Sequence, residues 1–169
     1  MRRVLFLLVA ICFAACGTIG EEYPTHEESS VVGVGDVAPD FTVELLGGER
    51  VTLSELRGEV VLLVLFSHEC PDCKMLMDDM QVARDYFDDW GVRILAIERD
   101  GSAEDVETYM ASHGYDFDVA VDDNRAIYNL YATMYVPRTY LIDSEGIIVH
   151  ATIEYDASYV ARILSAIPQ

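Results

Sequence analysis

The chain has 169 residues, 51% of them hydrophobic, enough for one domain with a single filled core and little room for a second. Its 30 acidic residues against 11 basic ones give a formal charge of −19 at pH 7, a surface that repels nucleic acid and anionic headgroups, so no nucleic-acid partner is expected. Most of these carboxylates read as a solvated face, and charge alone names no partner.

The N-terminus "MRRVLFLLVAICFAAC" places Arg2 and Arg3 before an apolar stretch from Val4 to Phe13, then Ala14 and Ala15 directly before Cys16. That is the layout of an export signal. It falls short of the about 20 apolar residues that a membrane span needs. The stretch also resembles the signal of bacterial lipoproteins, although Phe13 stands where that family usually has Leu. The resemblance implies a signal peptide over residues 1–15, a lipidated Cys16 and a lipid bilayer as partner. Ordinary cleavage and an uncleaved anchor stay open as alternatives. Without Arg2 and Arg3 the balance is 9 basic against 30 acidic residues, or −21. The polar, acidic and patternless run that follows predicts a flexible tether over residues 16–32, ahead of a domain over residues 33–169.

Within the domain, Thr42 to Leu45 and Arg50 to Leu53 flank Gly47 and Gly48, which predicts a β-hairpin. The aliphatic run "EVVLLVLFS" predicts a strand buried on both faces of a sheet. Pro71 then opens a helix at the position where a missing N–H costs nothing. Met77, Met80, Ala83, Tyr86 and Phe87 recur at helical spacing up to Gly91, a single helix of about five turns. "VRILAIE" is a second buried strand, and Ser102 caps a helix that stops at Gly114. "FDVAVDD" predicts a short strand and "NRAIYNLY" a helix. "PRTYLID" and "GIIVHATIE" form a hairpin across "SEG", and Asp156 caps a last helix through Ile167. Strands alternating with helices, then a hairpin and a helix, give an α/β fold with a mixed sheet.

Chemistry concentrates at "FSHECPDCK". Once Cys12 leaves with the signal and Cys16 carries lipid, Cys70 and Cys73 are the cysteines of the domain. A strand leading into Cys-Pro-Asp-Cys and a helix puts Cys70 at the helix N-terminus, where unpaired amides and the helix dipole stabilise a thiolate. Cys70 is therefore the expected attacking thiol, and Cys73 the less exposed thiol that resolves the mixed disulfide. An inert staple is the alternative, but a loop of four residues constrains little of the unfolded chain. A closed zinc site wants four ligands, whereas Cys70, Cys73 and His68 offer three and His26, His113 and His150 are scattered. No resident metal or other cofactor is expected, with a copper(I) carrier left open because that ion accepts fewer soft ligands.

"VGDVAPDFTVELLGGERVTLSELRGEVVLLVLF" resembles the opening of the redoxin and peroxiredoxin group (AhpC/TSA), and "CPDC" resembles the thioredoxin-like disulfide oxidoreductases of the TlpA/ResA type. "LYATMYVPRTYLIDSEGIIVH" is similar to the segment that carries a cis-proline loop, a strand, a turn and a strand in that superfamily. The resemblance spans about residues 33 to 167. It implies a thioredoxin-like three-layer sandwich, a mixed central sheet flanked by helices with an N-terminal β-hairpin. It also implies a cis Val136-Pro137 bond beside the cysteines, offering backbone groups to an extended substrate. An ordinary trans proline entering a strand is the alternative at Pro137.

The departures from the pattern carry expectations of their own. Glu69 replaces the usual Trp before the first cysteine, Leu76 stands where many members have Glu, no proline follows in the helix, and Val64 occupies the place of thioredoxin's buried acid. Asp78 and Asp79 are expected to face solvent, which makes solvent-borne proton transfer the default. Glu69 and Asp72 place negative charge beside the sulfur and Lys74 offsets it partly, which tilts the couple towards a reductant. The function so implied is an exported, membrane-tethered thiol–disulfide oxidoreductase of the bacterial cell envelope. It would act on cysteine-containing envelope proteins and be re-reduced by a membrane or periplasmic partner. A thiol peroxidase is the rival, although Leu63 and Ser67 stand where peroxidases need Pro and Thr. A copper carrier or non-catalytic interaction module is the third reading.

Overall fold

The computed structural model describes residues 23–122 and 124–168, so the signal peptide, Cys16 and the first part of the expected tether lie outside the described residues. In chain order the elements are β1 (Thr42–Glu44), β2 (Arg50–Thr52), a 3₁₀ turn (Leu53–Leu56), β3 (Val60–Phe66), α1 (Pro71–Val82), α2 (Arg84–Asp89) and β4 (Val92–Glu98). There follow α3 (Ala103–His113), β5 (Asp118–Val121), α4 (Tyr128–Tyr131), β6 (Arg138–Ile142), β7 (Ile148–Ile153) and α5 (Tyr159–Ala166). Among the described residues no helix is long and apolar enough to cross a membrane.

The apolar run of β3 takes the centre of a mixed sheet ordered β5-β4-β3-β6-β7. Side chains alternate across a strand. Leu62, Val64 and Phe66 therefore face a core built with α1, α2, α3 and α5. Val61, Leu63 and Leu65 face a second core closed by the β1–β2 hairpin, the 3₁₀ turn and α4. The result is a three-layer, thioredoxin-like sandwich with the expected N-terminal hairpin, whose turn uses Gly48 at φ +84°.

Register places the functional end of the sheet. β3 runs parallel to β4 from Val60↔Val92 to Phe66↔Glu98, and antiparallel to β6 with Leu65 opposite Arg138. The exit of β3, the exit of β4 and the entry to β6 thus meet at one edge. In open α/β sheets the crevice beyond the strand ends is where ligands bind.

Three helical expectations are corrected. The single helix after Pro71 is broken at Ala83, whose N–H reaches both Asp79 O and Gln81 O in a tightened turn. Beyond that break Phe87 is fully buried, whereas Tyr86 is 62% exposed. The helix expected over "NRAIYNLY" is confined to its last four residues, and the final helix begins at Tyr159, with the Asp156 carboxylate accepting from the Ser158 N–H at 2.8 Å instead of capping directly.

The segment ahead of residue 33 makes contacts with the domain. Val31 N–H donates to Tyr131 O at 3.0 Å, Thr133 N–H donates to Ser29 O at 2.9 Å, and Ser29 is fully buried. Residues 24–32 are packed on the domain because their polar groups satisfy donors and acceptors in the loop before β6.

The corrected helix predicts a contrast. Phe87→Ala should cost about 3–5 kcal/mol in urea unfolding, while Tyr86→Ala should stay within about 0.5 kcal/mol. Equal losses at the two positions would restore a single helix that buries both.

Candidate active site

Cys70 occupies the N-cap of α1, with Pro71 at the first helical position. Its sulfur accepts the N–H of Cys73 at 3.4 Å and donates to the carbonyl of Val136 at 3.6 Å. Both cysteines are free thiols, Cys70 half-buried and Cys73 fully buried. One turn inside the helix, Cys73 packs with Phe66, Leu76 and Met77, and its sulfur accepts the Ser67 N–H at 3.5 Å. Burial pushes the Cys73 thiol far up, and its neighbours Cys70 and Glu98 push the same way. The site therefore holds one reachable sulfur at a helix start and one shielded sulfur within a turn of it, the arrangement that thiol–disulfide exchange uses.

The Val136-Pro137 bond is cis. The β3–β6 register brings it to the cysteines across a separation of 66 residues, with Val136 half-buried and Pro137 buried. The Val136 carbonyl is thereby an acceptor at the edge of the site.

The charged residues divide. Glu69 is exposed and Asp72 half-buried in the first turn of α1. Lys74 turns to Asp78, with Nζ 2.6 Å from Oδ2, and that contact, with the hydroxyl of Tyr115, holds the Asp78 carboxyl below the usual range. Asp78 and Asp79 are half-buried, the Asp78 side chain keeping 46% of its surface exposed, and each accepts a tyrosine hydroxyl, from Tyr115 and Tyr155 respectively.

A carboxyl that sequence reasoning missed is buried here. Glu98, the last residue of β4, is fully buried. Its Oε2 accepts the His68 N–H at 2.7 Å and lies 3.3 Å from His68 Nδ1, and its Oε1 accepts the Asp100 N–H at 3.1 Å. The adjacent amides of Ser67 and His68 thus hold the Cys73 sulfur and the Glu98 carboxyl side by side. His68, 22% exposed at its side chain, leads from Glu98 to solvent. Gly101 permits this packing, since a Cβ there would lie 2.9 Å from His68 Nδ1 and 3.0 Å from Glu98 Cγ. The one available signal was an acidic residue closing a parallel strand, after the apolar run Ile94–Ile97, at the sheet edge where sites form. Among the described residues no three His, Cys, Asp or Glu side chains cluster to hold a metal ion.

The AhpC/TSA family matches residues 34–151. The thiol-disulfide oxidoreductase ResA of Bacillus subtilis is 34% identical over 147 residues, covering 87% of this chain and 80% of that one. A candidate protein disulfide isomerase from Bacteroides thetaiotaomicron has a solved structure that superposes with a TM-score of 0.75 at 32% identity, over 81% of this chain and 89% of that one. A candidate thiol:disulfide interchange protein DsbE from Chlorobium tepidum superposes at 0.73 with 26% identity, over 81% and 99%. A thioredoxin-like sheet, a cysteine pair at the start of its first long helix and these similarities lead to one assignment: the chain belongs to the AhpC/TSA family and, within it, to the ResA-like thiol–disulfide oxidoreductases.

Proposed function

We propose that the protein is an exported, membrane-tethered reductase that breaks disulfides in envelope proteins through a Cys70/Cys73 dithiol–disulfide cycle. Cys70 attacks a substrate disulfide, forming a Cys70–substrate bond and releasing one substrate thiolate, which takes up a proton. Cys73 then attacks the Cys70 sulfur, forming the Cys70–Cys73 disulfide and releasing the second substrate thiolate. Two electrons have passed to the substrate, and a membrane or periplasmic redox partner returns them. The observation that carries this reading is the pair itself: a reachable Cys70 sulfur bonded to the N–H of Cys73 and to Val136 O, with the Cys73 sulfur buried behind it. The backbone at Val136 and Pro137 is the natural edge for an extended substrate.

Cys73 must lose a proton before it attacks, because the thiolate is the nucleophile. Glu98 is the acceptor, since its carboxyl sits on the His68 amide next to the Ser67 amide that holds the Cys73 sulfur, and His68 passes the proton outwards. Glu69 and Asp72 add negative charge at the helix start while Lys74 is drawn to Asp78. Coulomb repulsion there acts against the anionic reduced pair relative to the neutral disulfide, which favours donating electrons. The export signal at residues 1–15 and a lipidated Cys16 would anchor the domain on the outer side of a bilayer.

Reduction of insulin disulfides by the purified chain tests the cycle. The wild type should accelerate insulin precipitation in dithiothreitol, Cys70→Ala should lose the acceleration, and Cys73→Ala should stall as a trapped mixed disulfide. Retained acceleration in both variants would sink the cycle. Equilibration with glutathione tests direction: the midpoint should lie below about −200 mV, and a value near the about −120 mV of a strong oxidant would reverse it.

The proton step has a pH signature. Because burial holds the Cys73 thiol far above neutrality, its thiolate fraction rises about tenfold per pH unit as pH increases. In Glu98→Gln, release of the trapped substrate should follow that slope from about pH 6 to about pH 9, slow near neutrality and approaching the wild type at the alkaline end. The wild type should be faster near neutrality and flatter. Superimposable profiles would remove Glu98 from the mechanism.

A further inference from the structure

We propose that residues 24–30 form a strap that sets the position of the substrate-contacting loop at residues 134–137, and that Arg138 is the positioning residue that pins it. The inference rests on the function proposed above and adds a determinant of substrate affinity.

Arg138 is 1% exposed, the largest of the fully buried side chains. Arginine is almost never buried to this extent without a charged partner. Among the described residues no carboxylate pairs with it. Its five hydrogen bonds go to neutral oxygens on two segments: Nε and Nη2 donate to Met134 O at 2.9 and 2.7 Å, Nη2 also to Ser29 O at 3.1 Å and to Ser29 Oγ, and Nη1 to Ser30 Oγ at 2.9 Å. A buried guanidinium left short of acceptors is strongly destabilising. Its charge is therefore satisfied only when the strap and the Met134 carbonyl are both in place. Arg138 couples the two.

The strap also holds two backbone positions that a side chain rarely adopts. Tyr135 has φ +71° and Glu154 has φ +60°. Strained conformations of this kind persist where the surroundings over-determine them and cluster at ligand clamps. The Tyr135 hydroxyl donates to Pro24 O at 2.6 Å, and the His26 ring meets the Tyr135 ring edge-on at 5.1 Å. The Glu154 N–H donates to Pro137 O at 2.8 Å, while its carboxylate lies 2.9 Å from His26 Nε2. His26 thus touches residues on both sides of Val136 and Pro137. Between them lies the Val136 carbonyl that meets the Cys70 sulfur. The strap never reaches the sulfur, so it acts on where substrate docks and not on the sulfur itself.

The test compares Tyr135→Phe, Ser29→Ala and Arg138→Met in the full chain, with insulin as the probe. Tyr135→Phe removes one hydrogen bond and Ser29→Ala two, the one from Arg138 Nη2 and the one its hydroxyl donates to His26 O; one hydrogen bond corresponds to roughly a two- to tenfold change. KM for insulin should rise by that factor, and further in Arg138→Met. The kcat, and the rate at which iodoacetamide alkylates Cys70, should stay within about twofold, inside the smallest effect expected of one hydrogen bond. Amide exchange at Val31 and Thr133 should accelerate in Arg138→Met, which reads strap release without reference to activity. Unchanged KM in Tyr135→Phe and Ser29→Ala would overturn the inference, as would a fall in kcat at constant KM, since the strap would then only support the fold. A wild type that leaves insulin intact fails the proposed function instead, and unchanged exchange in Arg138→Met then overturns the strap separately.

Discussion

The register of β3 is the constraint on which the rest depends. Pairing parallel with β4 and antiparallel with β6 brings Phe66, Glu98 and Arg138 to one edge of the sheet. From that edge the chain leaves β3 towards Cys70, leaves β4 at Glu98 and enters β6 from the Val136-Pro137 loop. A slip of one residue would turn every β3 side chain to the opposite core and separate these groups. Burial on both faces makes such a slip costly, because each face of β3 fills a different hydrophobic cluster.

Among the buried ionisable groups at that edge are Glu98 and Arg138. Glu98 and Arg138 do not pair with one another. Each is satisfied by its own set of backbone and side-chain partners, Glu98 by the loops after β3 and β4 and Arg138 by the N-terminal segment and Met134 O. Buried polar groups so held are rigid, since losing any one partner leaves a desolvated group unmet. One set backs the shielded sulfur, and the other backs the loop that faces the reachable one.

Much of the fold was legible before the structure. The β4 bounds were read directly from "VRILAIE", and Ser102 and Gly114 bound α3 as expected, Ser102 accepting the Asp105 N–H and Gly114 adopting φ +70°. These features are local: an apolar run, a cap and a glycine stop act within a few residues. The break at Ala83 was hidden because Met77, Met80 and Phe87 keep a helical period through it, so periodicity could not report the interruption. The acidic run at residues 24–32 looked unstructured for the complementary reason, that it holds little apolar surface and is retained by hydrogen bonds to a distant loop.

By itself the sequence determined an α/β chain with a strand delivering two cysteines to a helix start, because strands, caps and prolines are specified by neighbours along the chain. Only the tertiary structure decided which polar groups are buried and with whom. Glu98 meets the His68 amide across 30 residues and Arg138 meets Ser29 across 109. A local pattern marks Glu98 at most as the acidic end of a strand and does not say with whom either residue is buried, because burial is a property of the partners that folding brings together.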